Sequence, residues 1–263
     1  MIHLTIVKVG GRIVEDAASL NTLLKNFSLI AGYKVLVHGG GHSATLMAEK
    51  LGINTQLIEG RRVTDEETLK VATMVYAGLV NKNIVALLQS QNMDAVGFTG
   101  ADMNLILSVK RPVTDIDYGF VGDIKEVNIP VLKNLLEQGY VPVIAPITHD
   151  GKGHLLNTNA DSIASEIAKS MVHDFNVRLI FCFEKRGVLI DENDDSTLIH
   201  SLCPKEFEEY KRAGIIQKGM IPKLENAFSA LARGVNEVFI TRVSEINTGK
   251  GTFIVTNNIK NNE

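Results

Sequence analysis

The sequence predicts an α/β protein, a mainly parallel sheet with helices on both faces. Three observations predict it. Short runs rich in Val, Ile and Phe alternate along the chain with longer stretches of helical period. Several of the short runs are continuously apolar, as strands covered on both faces are. Several of the helical stretches end at a glycine, where a C-cap favours one.

In chain order the strands read as "HLTIVKVG", "KVLVHG", "DAVGFTG", "YVPVIAP", "RLIFCF" and "EVFIT". The helices between them read as "ASLNTLLKNFSLIA", "SATLMAEKLG", "DEETLKVATMVYAGLVNKNIVALLQSQ", "IPVLKNLLEQG", "ADSIASEIAKSM" and "KLENAFSALARG", with Gly52, Gly139 and Gly234 placed as C-caps. Such alternation implies βαβ units. Two stretches break the rhythm. "LILSVKRPVTDIDYGFVGDIKEVN" reads as a hairpin projecting from the sheet, and "VLIDENDDSTLIHSL" as a second hairpin around an acidic turn. The sequence carries no repeat, low-complexity tract or obvious linker. The best domain boundary falls near residue 175, between "ADSIASEIAKSM" and "RLIFCF", giving parts 1–175 and 176–263 of one continuous sheet.

Composition narrows the function. With 263 residues, 45% hydrophobic and a net charge of −3, the chain can bury a large core. Charge this near balance offers no basic footprint for nucleic acid and no polybasic arm for a membrane. The two cysteines, Cys182 and Cys203, have no metal-ligand spacing and point to a reducing compartment. No signal-peptide pattern opens the chain, and no apolar run approaches the roughly 18 residues that span a bilayer. The expectation is a soluble, cytoplasmic protein.

The first strand raises a question, because "LTIVKVGGR" places Lys8 in an apolar run just before two glycines. The second strand also ends in glycine, in "VLVHGGGHSA". Glycine lets backbone N–H groups approach a ligand, and loops leading from parallel strands into helices are anion sites. Gly10-Gly11 and Gly39-Gly40-Gly41 together therefore read as a phosphate cradle, although each alone could be a tight turn. No P-loop is present. "GGGHSA" fits G-x-G-x-x-A with Glu59 at a ribose-contact distance, which keeps a nicotinamide enzyme as a runner-up. "DENDDS" opens like a calcium loop but has Ser196 where glycine is required and Leu202 where the bidentate Glu belongs. His38 and His42 lie in a glycine loop rather than on a helix, so metal ligation there is not expected.

Six motifs occur in order: "VKVGGR", "VHGGGHSA", "EGRRVTDEET", "AGLVNK", "LLNTNADSIASEIA" and "GMIPKLENA". Together they resemble the acetylglutamate kinases of the amino-acid kinase family, from about Lys8 to Lys223, with a similar closing "GTFI". The resemblance implies an open three-layer αβα sandwich and a homodimer. It implies transfer of the γ-phosphoryl of ATP, with Mg²⁺ as the nucleotide counter-ion, to the side-chain carboxylate of an N-acyl-L-glutamate. That reaction is the second step of arginine biosynthesis. The amino-terminal part would hold the acyl-amino acid and the carboxyl-terminal part the nucleotide.

Residue by residue, the resemblance implies Lys8 and Lys223 as cations on the moving phosphoryl group and Asp161 as the carboxylate that orients both. Such a reaction needs positioning and positive charge more than covalent chemistry. Lys8 could otherwise be a lysine snorkelling from a strand end, and Asp161 a first-turn carboxylate beside an Asn159 N-cap. Lys223 in a first helical turn opposes the helix dipole. Arg62 matches the family's carboxylate clamp and Asn157 its contact to the amino-acid end. Gly39 and Gly40 would offer N–H groups to the substrate and transferring phosphoryl, and Gly10 and Gly11 to the phosphates.

Three departures stand out. "FEKRGV" replaces the usual "TDVPGV", keeping an acid in Glu184 and adding Lys185 and Arg186 near the nucleotide. "GFTGADMN" replaces a glycine-rich turn with Met103 and Asn104 near the substrate, leaving N-acetyl- and N-succinylglutamate both open. The chain starts almost at its first strand, without the helix that arginine-inhibited relatives carry, so a dimer insensitive to arginine is expected. Other amino-acid kinases (aminoadipate-, glutamate- or carbamate-type) and a non-catalytic amino-acid or nucleotide sensor remain the alternatives.

Overall fold

A computed structural model describes residues 1–58, 61–217 and 219–257; Glu59, the ribose candidate, lies outside the described residues. The first half contains β1 (His3–Val9), α1 (Gly11–Glu15), α2 (Ala17–Ser28), β2 (Tyr33–His38), α3 (Gly41–Lys50), β3 (Gln56–Ile58), β4 (Arg61–Val63), α4 (Glu66–Thr73), α5 (Asn81–Gln89) and β5 (Ala95–Phe98). There follow β6 (Ile106–Lys110), β7 (Gly122–Val127), α6 (Ile129–Glu137), β8 (Val141–Ile144), β9 (Ile147–His149), β10 (Leu155–Asn157) and α7 (Ala160–Ser170). The chain continues through β11 (Asn176–Phe183), β12 (Ser201–Leu202), α8 (Pro204–Arg212), α9 (Ile221–Ala232), β13 (Glu237–Arg242) and β14 (Thr252–Ile254).

Eight strands form the main sheet in the order β12-β14-β13-β11-β1-β2-β8-β5, parallel throughout except for β13 against β14. Residues Leu4 to Val9 are all buried, so both faces of β1 are covered. From β1 the sheet grows one way through β2, β8 and β5 and the other through β11 and β13. That reversal opens a crevice at the carboxyl end of β1, the usual ligand position in such sheets. The expected hairpin is real: β6 and β7 pair antiparallel and join β9 and β10 in a separate four-stranded sheet.

The helices form where their apolar spacing meets the core. Asp16 caps α2 by accepting from Ser19 N at 2.7 Å, and the helix buries Leu20, Leu23, Leu24 and Phe27, each contributing roughly 2 kcal/mol. Gly52, Gly139 and Gly234 follow their helices with φ of +71°, +86° and +94°, the left-handed region that favours glycine. From Glu66 to Gln89 the chain is one helix whose middle, Met74–Val80, is π-helical. Contrary to the sequence reading, this helix is long and apolar enough to cross a membrane, but Val71, Val75, Tyr76, Ile84 and Leu88 bury their side chains in the core.

Two helices escaped the sequence reading. Helix α1 is too short to show a period, and α8 buries only Phe207 behind a charged face. The acidic hairpin shrinks to a single bridge, Leu189 to Leu198. Asp191 and Asp194 accept from Asn193 N and Ser196 N at 3.0 and 2.8 Å, replacing ladder bonds with side-chain turns.

Candidate active site

Both glycine loops leave the sheet side by side. A Cβ on Gly39 would lie 3.1 Å from Gly11 N, and one on Gly11 3.3 Å from Gly40 N. Only residues without side chains let the two turns approach this closely. The sheet uses some of the expected donors, however. Gly10 N–H donates to Cys182 O at 3.1 Å and Gly39 N–H to Val9 O at 3.0 Å. This corrects the sequence expectation: the donors left for an anion are those of Gly11, Gly40 and Gly41, all lining the cleft.

Behind the second loop, His38 is fully buried. Its Nδ1 contacts Gly39 O at 2.8 Å, and Asn81 Nδ2 meets its Nε2 at 3.1 Å while donating to Val143 O at 2.9 Å. Burial drives its pKa down to about 4, partly offset by the Gly39 carbonyl. A neutral ring that donates from Nδ1 and accepts at Nε2 fits both partners. The sequence reading missed this support. Its signal was a polar Asn81 on an otherwise apolar helix face.

Lys8 reaches the end of β1, where its neighbours in register are Val37 and Phe181. Its Nζ lies 2.9 Å from Asp161 Oδ1, and Lys223 Nζ lies 3.1 Å from both oxygens of the same carboxylate. Asp161 stands in the first turn of α7, set there by Asn159, whose side chain accepts from Asp161 N and Ser162 N at 2.8 and 3.1 Å. Lys223 stands in the first turn of α9, with its Nζ 5.8 and 5.9 Å from the Phe181 and Phe183 rings. Burial pushes the Asp161 carboxyl up, but the two ammonium groups outweigh it and hold the pKa well below the usual range. Burial and the Lys223 charge lower Lys8, and Asp161 offsets part of that.

Across the cleft, β4 delivers Arg62, which is 9% exposed. Its Nη2 donates to Gly41 O at 2.7 Å and Thr45 Oγ1 at 2.6 Å, while Nη1 is buried with no partner. Asn157 lies alongside, its Nδ2 donating to Thr64 Oγ1 at 3.0 Å. Arg61, Arg111 and Tyr76 complete this wall of a cleft of about 260 Å³ that also takes in Lys8 and Asp161. The structure thus brings Lys8, Gly11, Gly39, Gly40, Arg62, Asn157 and Asp161 around one space, with Lys223 on the carboxylate.

Glu184 is exposed just past β11 and does not reach that cleft. Its neighbour Lys185 lines a second cavity of about 660 Å³ between residues 187–192 and 213–217, and donates to Glu192 O at 2.6 Å. Arg186 turns away to Glu245 at 3.5 Å. Among the described residues no group of three or more His, Cys, Asp or Glu could hold a metal ion.

This α/β fold, built on a mainly parallel sheet, is shared with known proteins. The chain belongs to the amino acid kinase family, whose model matches residues 3–242. It is 62% identical over 251 residues to an acetylglutamate kinase of Phocaeicola vulgatus, covering 95% of this chain and 98% of that one. It is 60% identical over 252 residues to an acetylglutamate kinase of Parabacteroides distasonis, covering 96% and 99%. A crystal structure of a Streptococcus mutans protein matches with a TM-score of 0.82 at 25% identity, covering 97% of this chain and 99% of that one.

Proposed function

We propose that this protein transfers the γ-phosphoryl of ATP to the side-chain carboxylate of an N-acyl-L-glutamate, N-acetyl- or N-succinylglutamate. The product is the acyl phosphate, in the second step of arginine biosynthesis. One observation carries the reading. A Lys–Asp–Lys cluster faces, across one small cleft, an arginine with a buried, unpartnered Nη1. The cluster suits a phosphoryl group in transfer, and the free guanidinium N–H suits a substrate carboxylate.

The acceptor carboxylate is ionised at neutral pH, so attack on the γ-phosphorus needs no general base. Lys8 is held beside it at the end of a rigid central strand. Lys223 would meet the β- and γ-phosphates from the nucleotide side. Asp161 keeps the two ammonium groups together until the phosphates arrive. Gly11, Gly40 and Gly41 N–H groups, with the amino ends of α3 and α7, add fixed positive potential where charge develops. Mg²⁺ would ride on phosphate oxygens and water and neutralise phosphate charge; the described residues offer it no cage.

The acyl-amino acid would bind within residues 1–175 and the nucleotide within 176–263, in the cavity beside Lys185. A cytoplasmic location and a homodimer complete the reading, the dimer supported by exposed Leu46, Met74 and Leu79 on neighbouring helices. The test is ADP release from ATP and Mg²⁺ with N-acetyl-L-glutamate and N-succinyl-L-glutamate side by side. Turnover of either supports the reading, and a folded protein that binds ATP yet turns over neither refutes it.

A further inference from the structure

An N-acylglutamate has three polar ends, and the site described so far accounts for two. On the proposed reading the side-chain carboxylate would sit by Lys8 and the α-carboxylate by Arg62. The acyl group still lacks a partner. Arg111, just past β6, provides one. Its backbone N–H donates to Val121 O at 2.8 Å, and its side chain lines the cleft with Val121 and Asn157. Asp123 grips the guanidinium by a fork, Nε to Oδ1 and Oδ2 at 3.1 and 3.2 Å and Nη2 to Oδ1 at 2.5 Å. The Tyr118 ring lies 5.5 Å from its Cζ.

A guanidinium already forked to a carboxylate needs no second counter-charge. What it needs is an acceptor, because Nη1 is buried with no hydrogen-bond partner, a costly state for a charged donor. The fork also fixes the side chain, so that donor is preorganised.

We propose that Arg111 recognises the acyl group of the substrate, its Nη1–H donating to an acyl oxygen; this rests on the acylglutamate reading above. The oxygen can be the amide carbonyl, common to every N-acyl group, or the distal carboxylate of a dicarboxylic acyl group. Either way the arginine selects against free glutamate, whose ammonium would face a guanidinium. That is a repulsive element as well as an attractive one.

The experiment compares steady-state kinetics of the wild type, Arg111→Met and Arg111→Met/Asp123→Asn on N-acetyl-L-glutamate, N-succinyl-L-glutamate and L-glutamate. The double variant avoids leaving Asp123 without its partner. In both variants KM for the acylated substrates rises about 10- to 100-fold, while kcat and the ATP KM stay within about threefold. An equal rise for both acyl groups assigns the carbonyl, and a steeper rise for succinyl assigns the distal carboxylate. Unchanged KM values in the variants, or a matching rise in the ATP KM, overturn the role of Arg111 alone. A wild type that turns over neither acylated substrate overturns the acylglutamate reading itself.

Discussion

Replacing Lys8 with Met removes one fixed ammonium from the proposed transfer site and little else. Its side chain is 9% exposed, and its Nζ sits 2.9 Å from Asp161 Oδ1. Without it the Lys–Asp–Lys cluster falls from a net charge of +1 to zero, with Asp161 still held by Lys223 at 3.1 Å on both oxygens. A unit charge about 4 Å from a phosphoryl oxygen is worth about 4 kcal/mol at an effective dielectric constant near 20. Only the part that grows in the transition state counts toward rate, about 3–4 kcal/mol for one preorganised donor. Lys8→Met should therefore lower kcat about 10²- to 10³-fold. KM for the acylglutamate should stay within about threefold, since the proposed reading gives that binding to Arg62 and Asn157. Methionine fills nearly the same volume, so the melting temperature should change little. Coupled ADP-release kinetics and a thermal melt on the same preparation check this. A kcat within tenfold of wild type, in a variant that melts normally, would refute the role assigned to Lys8.

Three further outcomes are expected. Lys8 has a pKa below its ordinary 10.5, lowered by burial and held up in part by Asp161. Activity should then fall on the alkaline side at a pH below the usual lysine range, and Asp161→Asn should move that limb further toward neutrality; a limb that does not move counts against Asp161 as the partner. His38 has a pKa depressed from 6.5 to about 4 by burial, so as pH falls the unfolded chain takes up its proton first. Stability should drop by about 3 kcal/mol between those two values, seen as a lower urea midpoint at pH 4.5 than at 6.5, and the drop should shrink in His38→Asn. A Cβ on Gly40 would lie 2.9 Å from Tyr76 Cδ1. Gly40→Ala should cost about 1–3 kcal/mol of stability and lower kcat/KM more than tenfold, and a variant with both values unchanged would show that the loop has room to spare.

The strand–helix alternation was legible because continuous apolar runs and helical spacing are local signals. The central strand and its glycine exit could be seen in "LTIVKVGG" alone. Partner assignments could not. Asp161 and Lys223 stand 62 residues apart, and nothing in their spacing joins them; the resemblance named them, and the crevice at β1 brings them together. The sequence marks Gly10 and Gly39 as donors, but only the sheet order reveals that Cys182 O and Val9 O already occupy them. Arg111 lies in the stretch read as a hairpin, and no local pattern there singles it out. Its fork to Asp123 depends on the register of β6 against β7, which includes a bulge between Leu107 and Ser108. The acidic turn misled because aspartate side chains compete with the ladder for the same N–H groups.

The most direct test of the reaction is to trap its product. An acyl phosphate reacts with hydroxylamine to give a hydroxamate, whereas a nucleotide hydrolysed in an idle site does not. With ATP, Mg²⁺ and N-acyl-L-glutamate, hydroxamate should form in step with ADP, one for one, and both should collapse in Lys8→Met. ADP without hydroxamate, or neither in a folded enzyme supplied with both acyl substrates, would contradict the assignment of carboxylate phosphorylation to this cleft.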